Sequence, residues 1–458
     1  MLFNSIDFWL FLPLVLGLFW ALRSSRSRLV LLLAASYFFY GFWDWRFLGL
    51  IVLSTLVDYG VGLGLAAVSA PATRKRLVAL SVVVNLGILG LFKYAGFFIA
   101  EAQALLGVTG GWSLGLVLPV GISFYTFQTL GYTLDVYRHR VPAERNLLTF
   151  ATFVAFFPQL MAGPIERARD LLPQLQRLDA HRADLLGGFR LFLLGMVKKV
   201  FISSTLAGHC DLLYLNPSLR SPAEAWLMGL LMFMHILMDF SGYSDMAVGL
   251  GRMFGVRLSP NFHRVFASRS FPDFWRRWHI TLGRWFRDYV LVPLHRRGVP
   301  RSLAYLLTFA LIGLWHGASW NFVVWGALMG VAWLVDSRLA QSRARLPRPI
   351  GSVLTIGLFI LLGQLFPTRS LPDGFALMSS MLGFGPAQPL PMADVPGVVW
   401  LALGLGLGVE WAVPRWATWA QRHPVLGRWV LGALLIPAGL ALCMEGLTAA
   451  REFVYFQF

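Results

Sequence analysis

Long apolar stretches, separated by short polar segments, run through most of the chain. A bilayer core needs about 20 mostly apolar residues in a helix, and about twelve stretches approach that length. They lie near residues 6–22, 29–43, 46–69, 77–99, 115–136, 185–207, 224–250, 303–318, 320–336, 350–366, 397–413 and 429–447. Helices are expected because lipid cannot hydrogen-bond an exposed backbone, and the stretches lack the alternation of barrel strands. The pattern therefore predicts an all-α, polytopic membrane protein with about 11–12 transmembrane helices.

Alternate polar segments carry the positive charge. Basic residues follow the first, third and fifth apolar stretches, at 23–28, 74–76 and 138–145, whereas 101–114 and 209–222 carry few charges. Lys and Arg are retained on the cytoplasmic side of a membrane, so both chain termini are expected on the outer side. The longest predicted outer loop, 367–396, is either a surface for a partner protein or a plain connector.

Composition agrees with this interpretation. The chain is 57% hydrophobic and 13% charged, far from the roughly 25% charged residues of a soluble domain. A net charge of +17 would suggest nucleic acid in a soluble protein, but here the basic residues lie in membrane loops and no nucleic acid is expected. The two cysteines lie in apolar surroundings and match neither a disulfide framework nor a metal site.

Two segments do not fit simple membrane spans. Residues 150–164 are apolar but short and contain two prolines, which favours a re-entrant or interfacial segment. Residues 272–293 mix tryptophans and arginines with two aspartates and His279. That composition predicts an amphipathic helix at the cytoplasmic interface or in a water-filled funnel.

His316 is the sharpest candidate for chemistry. It stands in LIGLWHGASWNFVVWG, at the end of one predicted span and just before the next. A neutral imidazole in an apolar cavity can take a proton from a hydroxyl nucleophile. A structural histidine bonded to a neighbouring carbonyl is the equally weighted alternative from the local sequence.

Two further groups of polar residues interrupt apolar surroundings. In DFSGYSD, Asp239 and Tyr243 are four residues apart and can share a helix face, with Asp245 close by; structural hydrogen bonds between helices are the commoner use of such a cluster. Near His279, Arg276 and Arg277 could bind phosphate groups, with Asn261 in the vicinity, or could reach lipid headgroups. Lys198 and Lys199 are interpreted as structural or as reaching for the membrane surface.

Three segments resemble a known family. They read MDFSGYSDMAVGLGRMFGVRLSPNF, SFPDFWRRWHITLGRWFRDYVLVPL and LIGLWHGASWNFVVWGAL. Together they closely resemble the membrane-bound O-acyltransferase family, in its bacterial polysaccharide-modifying branch. The opening MLFNSIDFWLFLPLVLGLFW, the stretch FFPQLMAGPI and the final YFQF are similar as well. The resemblance therefore covers nearly the whole chain.

The resemblance implies a fold and a set of site residues. It implies a single membrane domain over 1–458, with N-terminal helices in 1–114, a core in 115–336 and C-terminal helices in 337–458. The helices would form a basket with re-entrant segments around a transmembrane tunnel. His316 and His279 would be the catalytic histidines, with His279 orienting the donor or stabilising developing charge. Expected substrate-binding residues are Arg276, Arg277, Asn261, Tyr243, Asp245, Trp315 and Asn321.

The implied reaction is transfer of an acetyl or other acyl group across the bacterial inner membrane. The donor would be a cytoplasmic thioester such as acetyl-CoA, with no bound cofactor and no metal. The product would be an O-acetylated exopolysaccharide such as alginate, with periplasmic acetyltransferase partner proteins completing transfer and both termini in the periplasm. Alternatives are another acceptor, such as cellulose, teichoic acid or protein, and a transporter or scaffold of a polysaccharide export complex.

Overall fold

The computed structural model describes residues 1–108, 112, 114–179, 183–214, 221–339, 346–385 and 395–422. Within these ranges every regular element is helical, which confirms the predicted all-α membrane protein. Contacts group the chain into two compact units: Met1–Phe192 with Met246–Ser259, and Leu193–Asp245 with Pro260–Phe458. The boundaries at 114 and 336 that the sequence suggested stay predictions.

The first unit contains the N-terminal helices. They are α1 (Ile6–Ala21), α2 (Ser25–Asp44), α3 (Leu48–Ala67), α4 (Pro71–Leu89), α5 (Ala95–Leu105), α6 (Ile122–Tyr137), α7 (Leu147–Ala155), α8 (Phe157–Leu160), α9 (Ala168–Gln176) and most of α10 (Leu185–Met196), with a 3₁₀ turn at Trp45–Phe47 and a π-helical turn at Gly90–Tyr94. The last part of α12 (Pro222–Met253) also belongs to this unit.

The second unit contains the remaining helices. They are α11 (Ser204–Leu213), most of α12, α13 (Phe271–Trp275), α14 (Ile280–Phe286), α15 (Val292–Arg296), α16 (Arg301–His316), α17 (Trp320–Arg338), α18 (Arg348–Leu362), α19 (Leu371–Ser379) and α20 (Gly397–Arg422). Shorter turns are π-helical at Val197–Ser203, Arg287–Leu291 and Ser380–Phe384, and 3₁₀-helical at Val265–Ala267 and Gly363–Leu365.

Eleven of the twelve predicted apolar stretches coincide with helices, and 429–447 lies outside the described residues. By length and composition, four helical segments of the described part can cross a bilayer: Ser25–Ala67, Pro71–Leu105, Pro222–Met253 and Arg348–Leu365. The first contains two predicted spans. The helix is interrupted between the two spans because Asp44 has an extended backbone. Its carboxylate accepts a hydrogen bond from the Arg46 N–H, which starts a new helical turn.

Residues 150–164 contain two helices with an irregular junction at Phe156, and the re-entrant or interfacial placement of this segment stays a prediction. Helix α7 ends at Ala155 because Phe156 leaves the helical conformation, and the short α8 follows. The freed backbone groups are satisfied by side chains: the Phe157 N–H donates to Ser36 Oγ, and the amides of Gln128 and Gln159 donate to the Phe153 carbonyl. Irregular backbone among membrane helices requires such internal partners.

A buried carboxylate joins three helices of the first unit. Asp58 on α3 is fully buried and accepts hydrogen bonds from Ser81 and Asn85 on α4 and from Thr133 on α6. Buried polar groups of this kind need such partners to remain stable. The cluster holds α3, α4 and α6 together.

Candidate active site

His316 is the last residue of α16, and glycines fix where that helix lies. A Cβ on Gly313 would collide with the Phe322 carbonyl of α17, and a Cβ on Gly326 would collide with the Phe309 carbonyl of α16. The two backbones can approach this closely only with glycine at both positions. The His316 ring, which is 3% exposed, then lies 5.3 Å from the ring of Trp325 on α17.

A cavity of about 40 Å³ lies against His316. Its walls are aromatic and aliphatic side chains from α12, α17 and α18, with one amide, that of Gln364. The lining residues are Gly229, Met232, Phe233, Ile236, Trp278, His316, Trp325, Phe359, Ile360, Gly363, Gln364 and Phe366. The predicted environment of His316, an apolar cavity at the end of a helix, is therefore present.

Trp315 lies beside both candidate histidines. Its ring centroid is 4.9 Å from that of His316 and 5.8 Å from that of His279. The fold thus brings together two histidines that the sequence separates by α14, α15 and α16. The buried ring of Trp315 lies close to both imidazoles, and its predicted role in binding substrate stays a prediction.

His279 interrupts the predicted amphipathic helix. Its backbone is left-handed, with φ of 42° and ψ of 53°, a conformation that is uncommon for residues other than glycine. The prediction of one helix over 272–293 is therefore wrong: α13 ends at Trp275, and α14 begins at Ile280. Unusual backbone conformations of this kind cluster at functional sites. Burial lowers the pKa of His279 to about 3, so its ring is neutral near pH 7.

Asn261 contacts His279 directly. The Asn261 side-chain oxygen lies 3.1 Å from His279 Nδ1, and it also accepts hydrogen bonds from the backbone N–H and the hydroxyl of Thr281. The Asn261 amide nitrogen donates to Ser244 Oγ over 3.3 Å. Asn261 was predicted to bind substrate. The structure places its amide, which is 2% exposed, among protein groups around the histidine, and a role in binding substrate stays a prediction.

Arg276 and Arg277 line a second, larger cavity of about 1060 Å³. Three other arginines share it, namely Arg264, Arg269 and Arg348. Asp273 offsets part of this charge, since its carboxylate lies 3.1 Å from Arg277 and 3.7 Å from Arg276. The remaining positive charge and the planar guanidinium groups suit a ligand that carries phosphates.

One side chain belongs to the walls of both cavities. Ile360, on α18, lines the small cavity at His316 and the large basic cavity. Phe359 beside it lines only the small cavity, and Ile356, one turn earlier, lines only the basic one. The basic cavity and the histidine cavity are therefore neighbours, with α18 between them.

The other predicted site residues lie outside both cavities. Asp245 pairs with Lys198 over 2.6 Å, and the amide of Asn321 donates to the Thr368 carbonyl. Tyr243 is 1% exposed within α12. Asp245 and Asn321 thus have partners within the protein, and a role in binding substrate stays a prediction for all three positions.

The sequence interpretation missed several residues of the site. Trp325, Phe366 and Gln364 line the histidine cavity, and Glu410 accepts a hydrogen bond from the Val265 N–H near the basic one. Gln364 could have been found from the sequence, because it is a polar residue at the end of an apolar stretch. The aromatic residues gave no signal, because tryptophan and phenylalanine are frequent throughout the chain. Lys198 and Lys199 are buried in ion pairs and do not reach for the membrane surface.

In the part of the chain that the structure describes, no three His, Cys, Asp or Glu side chains are close enough to hold a metal ion. The donors gathered at the site are imidazole, indole, amide and guanidinium groups. Such groups can accept a proton, donate hydrogen bonds and bind anions. The arrangement is suited to acid–base chemistry on a substrate with a charged, phosphate-bearing portion.

Comparisons with known proteins identify the family. The sequence profile described as "MBOAT, membrane-bound O-acyltransferase family" matches residues 139–343. The chain is 41% identical over 400 residues to "Probable alginate O-acetylase AlgI" of Azotobacter vinelandii, covering 84% of this chain and 79% of that protein. It is 32% identical over 423 residues to the peptidoglycan O-acetyltransferase of Helicobacter pylori, covering 84% and 80%.

A more distant relative is the teichoic acid D-alanyltransferase of Bacillus subtilis, 29% identical over 229 residues, which are 46% of this chain and 57% of that protein. The matched profile contains His279 and His316, and the two more similar relatives are aligned over most of their length. The chain therefore belongs to the membrane-bound O-acyltransferase family, and it is a membrane O-acyltransferase.

Proposed function

We propose that this acyltransferase takes an acetyl group from acetyl-CoA on the cytoplasmic side and passes it outward for O-acetylation of an exopolysaccharide such as alginate. The observation that carries the proposal is the shared wall at Ile360, which lies between an arginine-lined cavity and a small cavity at His316. The phosphates of the donor would bind the arginines. Its thioester would then reach past Ile360 toward the histidine.

In this mechanism His316 is the general base. It takes the proton of an acceptor hydroxyl while the hydroxyl oxygen attacks the thioester carbonyl carbon. The resulting tetrahedral intermediate breaks its carbon–sulfur bond, the thiolate leaves as CoA, and the proton passes from His316 to the sulfur. General base catalysis by a positioned side chain contributes roughly a hundred- to ten-thousandfold in rate.

The negative charge on the carbonyl oxygen requires a hydrogen-bond donor. The Trp325 indole N–H is buried, and it has no acceptor among the described residues although its ring lines the histidine cavity. Buried indole N–H groups usually have a partner. A thioester carbonyl in the cavity would supply that acceptor, and the bond would strengthen as charge develops on the oxygen.

The size of the histidine cavity favours a short acyl group. A cavity needs roughly 10–15 Å³ to hold one water-sized group. The histidine cavity of about 40 Å³ therefore accommodates about three such groups. An acetyl group has that number of non-hydrogen atoms. Most of the lining side chains are buried aromatic and aliphatic groups.

The role of the basic cavity is tested with Arg276→Glu. This side chain is 72% exposed, so the substitution should leave folding intact while repelling donor phosphates. A charge-assisted hydrogen bond contributes about 1.5–3 kcal/mol, and we expect the KM for acetyl-CoA to rise about tenfold or more. The measurement is release of the CoA thiol by inverted membrane vesicles.

Arg287→Glu is the matched control, since Arg287 is 58% exposed, pairs with a neighbouring aspartate and lies outside the lining of the basic cavity. Its KM should stay near that of the unmodified protein. Equal KM values for both variants and the unmodified protein would place the donor elsewhere.

Acyl selectivity is tested at Ile360. Ile360→Ala removes part of the wall between the cavities, and we expect propionyl transfer to gain about tenfold relative to acetyl transfer, since one methylene in a fitted pocket changes selectivity by about 10- to 200-fold. Ile356→Ala is the control, because Ile356 lines only the basic cavity. An unchanged propionyl-to-acetyl ratio in Ile360→Ala would show that the small cavity does not bind the acyl group.

The acceptor, partners and location complete the proposal. The similarity to alginate O-acetylases over most of the chain supports a polysaccharide acceptor, and transfer would be completed by periplasmic acetyltransferase proteins. The alternation of basic loops supports the bacterial inner membrane with both termini in the periplasm. Peptidoglycan and teichoic acid, named for other relatives, are the alternative acceptors. Ester analysis of each purified polymer from cells with and without the protein distinguishes them.

A further inference from the structure

We propose that Asn261 is a positioning residue that holds His279 in the tautomer with its proton on Nδ1, leaving the lone pair on Nε2. A neutral imidazole carries its proton on one of two nitrogens, and the hydrogen-bond partners of those nitrogens decide which one. The tautomer depends on which atom of the Asn261 amide faces His279. The surrounding donors determine that orientation.

The Thr281 backbone fixes the amide. Oxygen and nitrogen of an asparagine side chain are assigned from their partners, and a backbone N–H can only donate. The Thr281 N–H lies 3.2 Å from the Asn261 side-chain oxygen, and the Thr281 hydroxyl lies 2.9 Å from it. The atom that faces Thr281 must therefore be the oxygen. The amide nitrogen then faces Ser244 Oγ, which can accept its hydrogen bond.

The same oxygen faces His279. It lies 3.1 Å from Nδ1, and an amide oxygen has no proton to donate. A favourable contact at this distance requires the proton on Nδ1. Because the ring is neutral near pH 7, Nε2 then carries the lone pair.

Backbone contacts keep the two residues in register. The Ile280 N–H donates to the Asn261 carbonyl, and the His263 N–H donates to the Arg277 carbonyl, each over 2.9 Å. The left-handed conformation of His279 turns the chain between these two bonds. The Phe240 ring packs edge-on against the imidazole with centroids 4.6 Å apart. Ring orientation and tautomer are thus fixed from several sides.

The consequence for the reaction rests on the proposed function. Nε2 with a lone pair can accept a proton or a hydrogen bond, but it cannot donate one to a developing oxyanion. His279 would therefore help to hold the acceptor hydroxyl by accepting a hydrogen bond, while His316 takes its proton. The family resemblance implies that His279 either orients the acyl donor or stabilises developing charge. The second of these roles would then belong to another hydrogen-bond donor.

The test is ¹⁵N NMR of the full chain, labelled at histidine and reconstituted in lipid, with the His279 signals assigned by their absence from His279→Gln. Protonated and unprotonated ring nitrogens have well-separated shifts. We expect Nδ1 to be protonated and Nε2 unprotonated in the unmodified protein. A protonated Nε2 would overturn the proposal without any variant, and it would leave the proposed acetyl transfer untouched.

Two variants separate positioning from folding. Asn261→Asp keeps an acceptor oxygen for Thr281 and His279, so it should keep the Nδ1–H signal and most of the transfer rate. Asn261→Ala removes the acceptor, and the proton should then redistribute toward Nε2 with a loss of about 10- to 100-fold in kcat, as when an orienting partner is lost elsewhere. Ser244→Ala, which leaves Thr281 in place, is the control and should keep the unmodified tautomer. An Asn261→Ala spectrum identical to that of the unmodified protein would also contradict the assignment.

Discussion

Replacing His316 with alanine is expected to remove O-acetyl groups from the polysaccharide that the cells secrete. The imidazole is buried at the cavity that would hold the thioester, and no second histidine lines that cavity in the part of the chain described. Loss of a general base lowers the rate by roughly a hundred- to ten-thousandfold. The measurement is ester content of the secreted polymer, with the amount of each variant in the membrane determined in parallel.

Two further variants make this result specific. His316→Gln replaces the imidazole with a side chain of similar size that cannot act as a base, so it should be as inactive as His316→Ala. His295→Gln is the control, because His295 is exposed at the end of α15, beside Tyr305, and lies outside the cavity. Normal acetylation in His316→Ala at normal membrane levels would contradict the assignment of His316 as the base.

Replacing Lys199 with methionine is expected to destabilise the second unit more than any surface substitution. Lys199 Nζ lies 2.5 Å from the Asp239 carboxylate, and both side chains are 4% exposed. Removing one partner of a buried ion pair costs about 3–5 kcal/mol, because the other charge stays in a low-dielectric environment. The measurement is the midpoint of thermal unfolding in detergent.

The double variant Lys199→Met with Asp239→Leu tests the physical reason. Replacing both charges by apolar groups is often neutral, so the double variant should regain most of the lost stability. Lys75→Met, at an exposed position on α4, should change stability by no more than about 0.5 kcal/mol. A single variant as stable as the unmodified protein would show that the pair contributes little.

The positions of the helices could be predicted because a bilayer imposes one length and one backbone solution on every apolar stretch. The bilayer also made His316 recognisable, because an ionisable residue at the end of an apolar stretch is costly unless it has a function. The cavity-lining neighbours of His316 on α12, α17 and α18 could not be identified. The approach of α16 to α17 depends on Gly313 and Gly326 facing each other, and the sequence does not state which helix face meets which.

The partners of the buried charges also depend on tertiary structure. Lys198 and Lys199 are adjacent in sequence, yet they pair with Asp245 and Asp239, which are six residues apart on α12. The π-helical turn Val197–Ser203 carries both lysines. Such turns are rare and frequently mark functional sites, and apolar periodicity does not predict them. The left-handed His279 and its bond to Asn261 were hidden for the same reason, since a local pattern predicts a continuous helix there.

Transfer of label from acetyl-CoA to polysaccharide tests the central claim most directly. Inverted membrane vesicles that contain the protein and its endogenous acceptor would be given acetyl-CoA labelled in the acetyl group, and alkali-labile label in the polymer would be counted. The proposed mechanism predicts labelled polymer with the unmodified protein and a loss of at least about a hundredfold with His316→Ala. Equal labelling by both proteins, or no use of acetyl-CoA by the unmodified one, would contradict it.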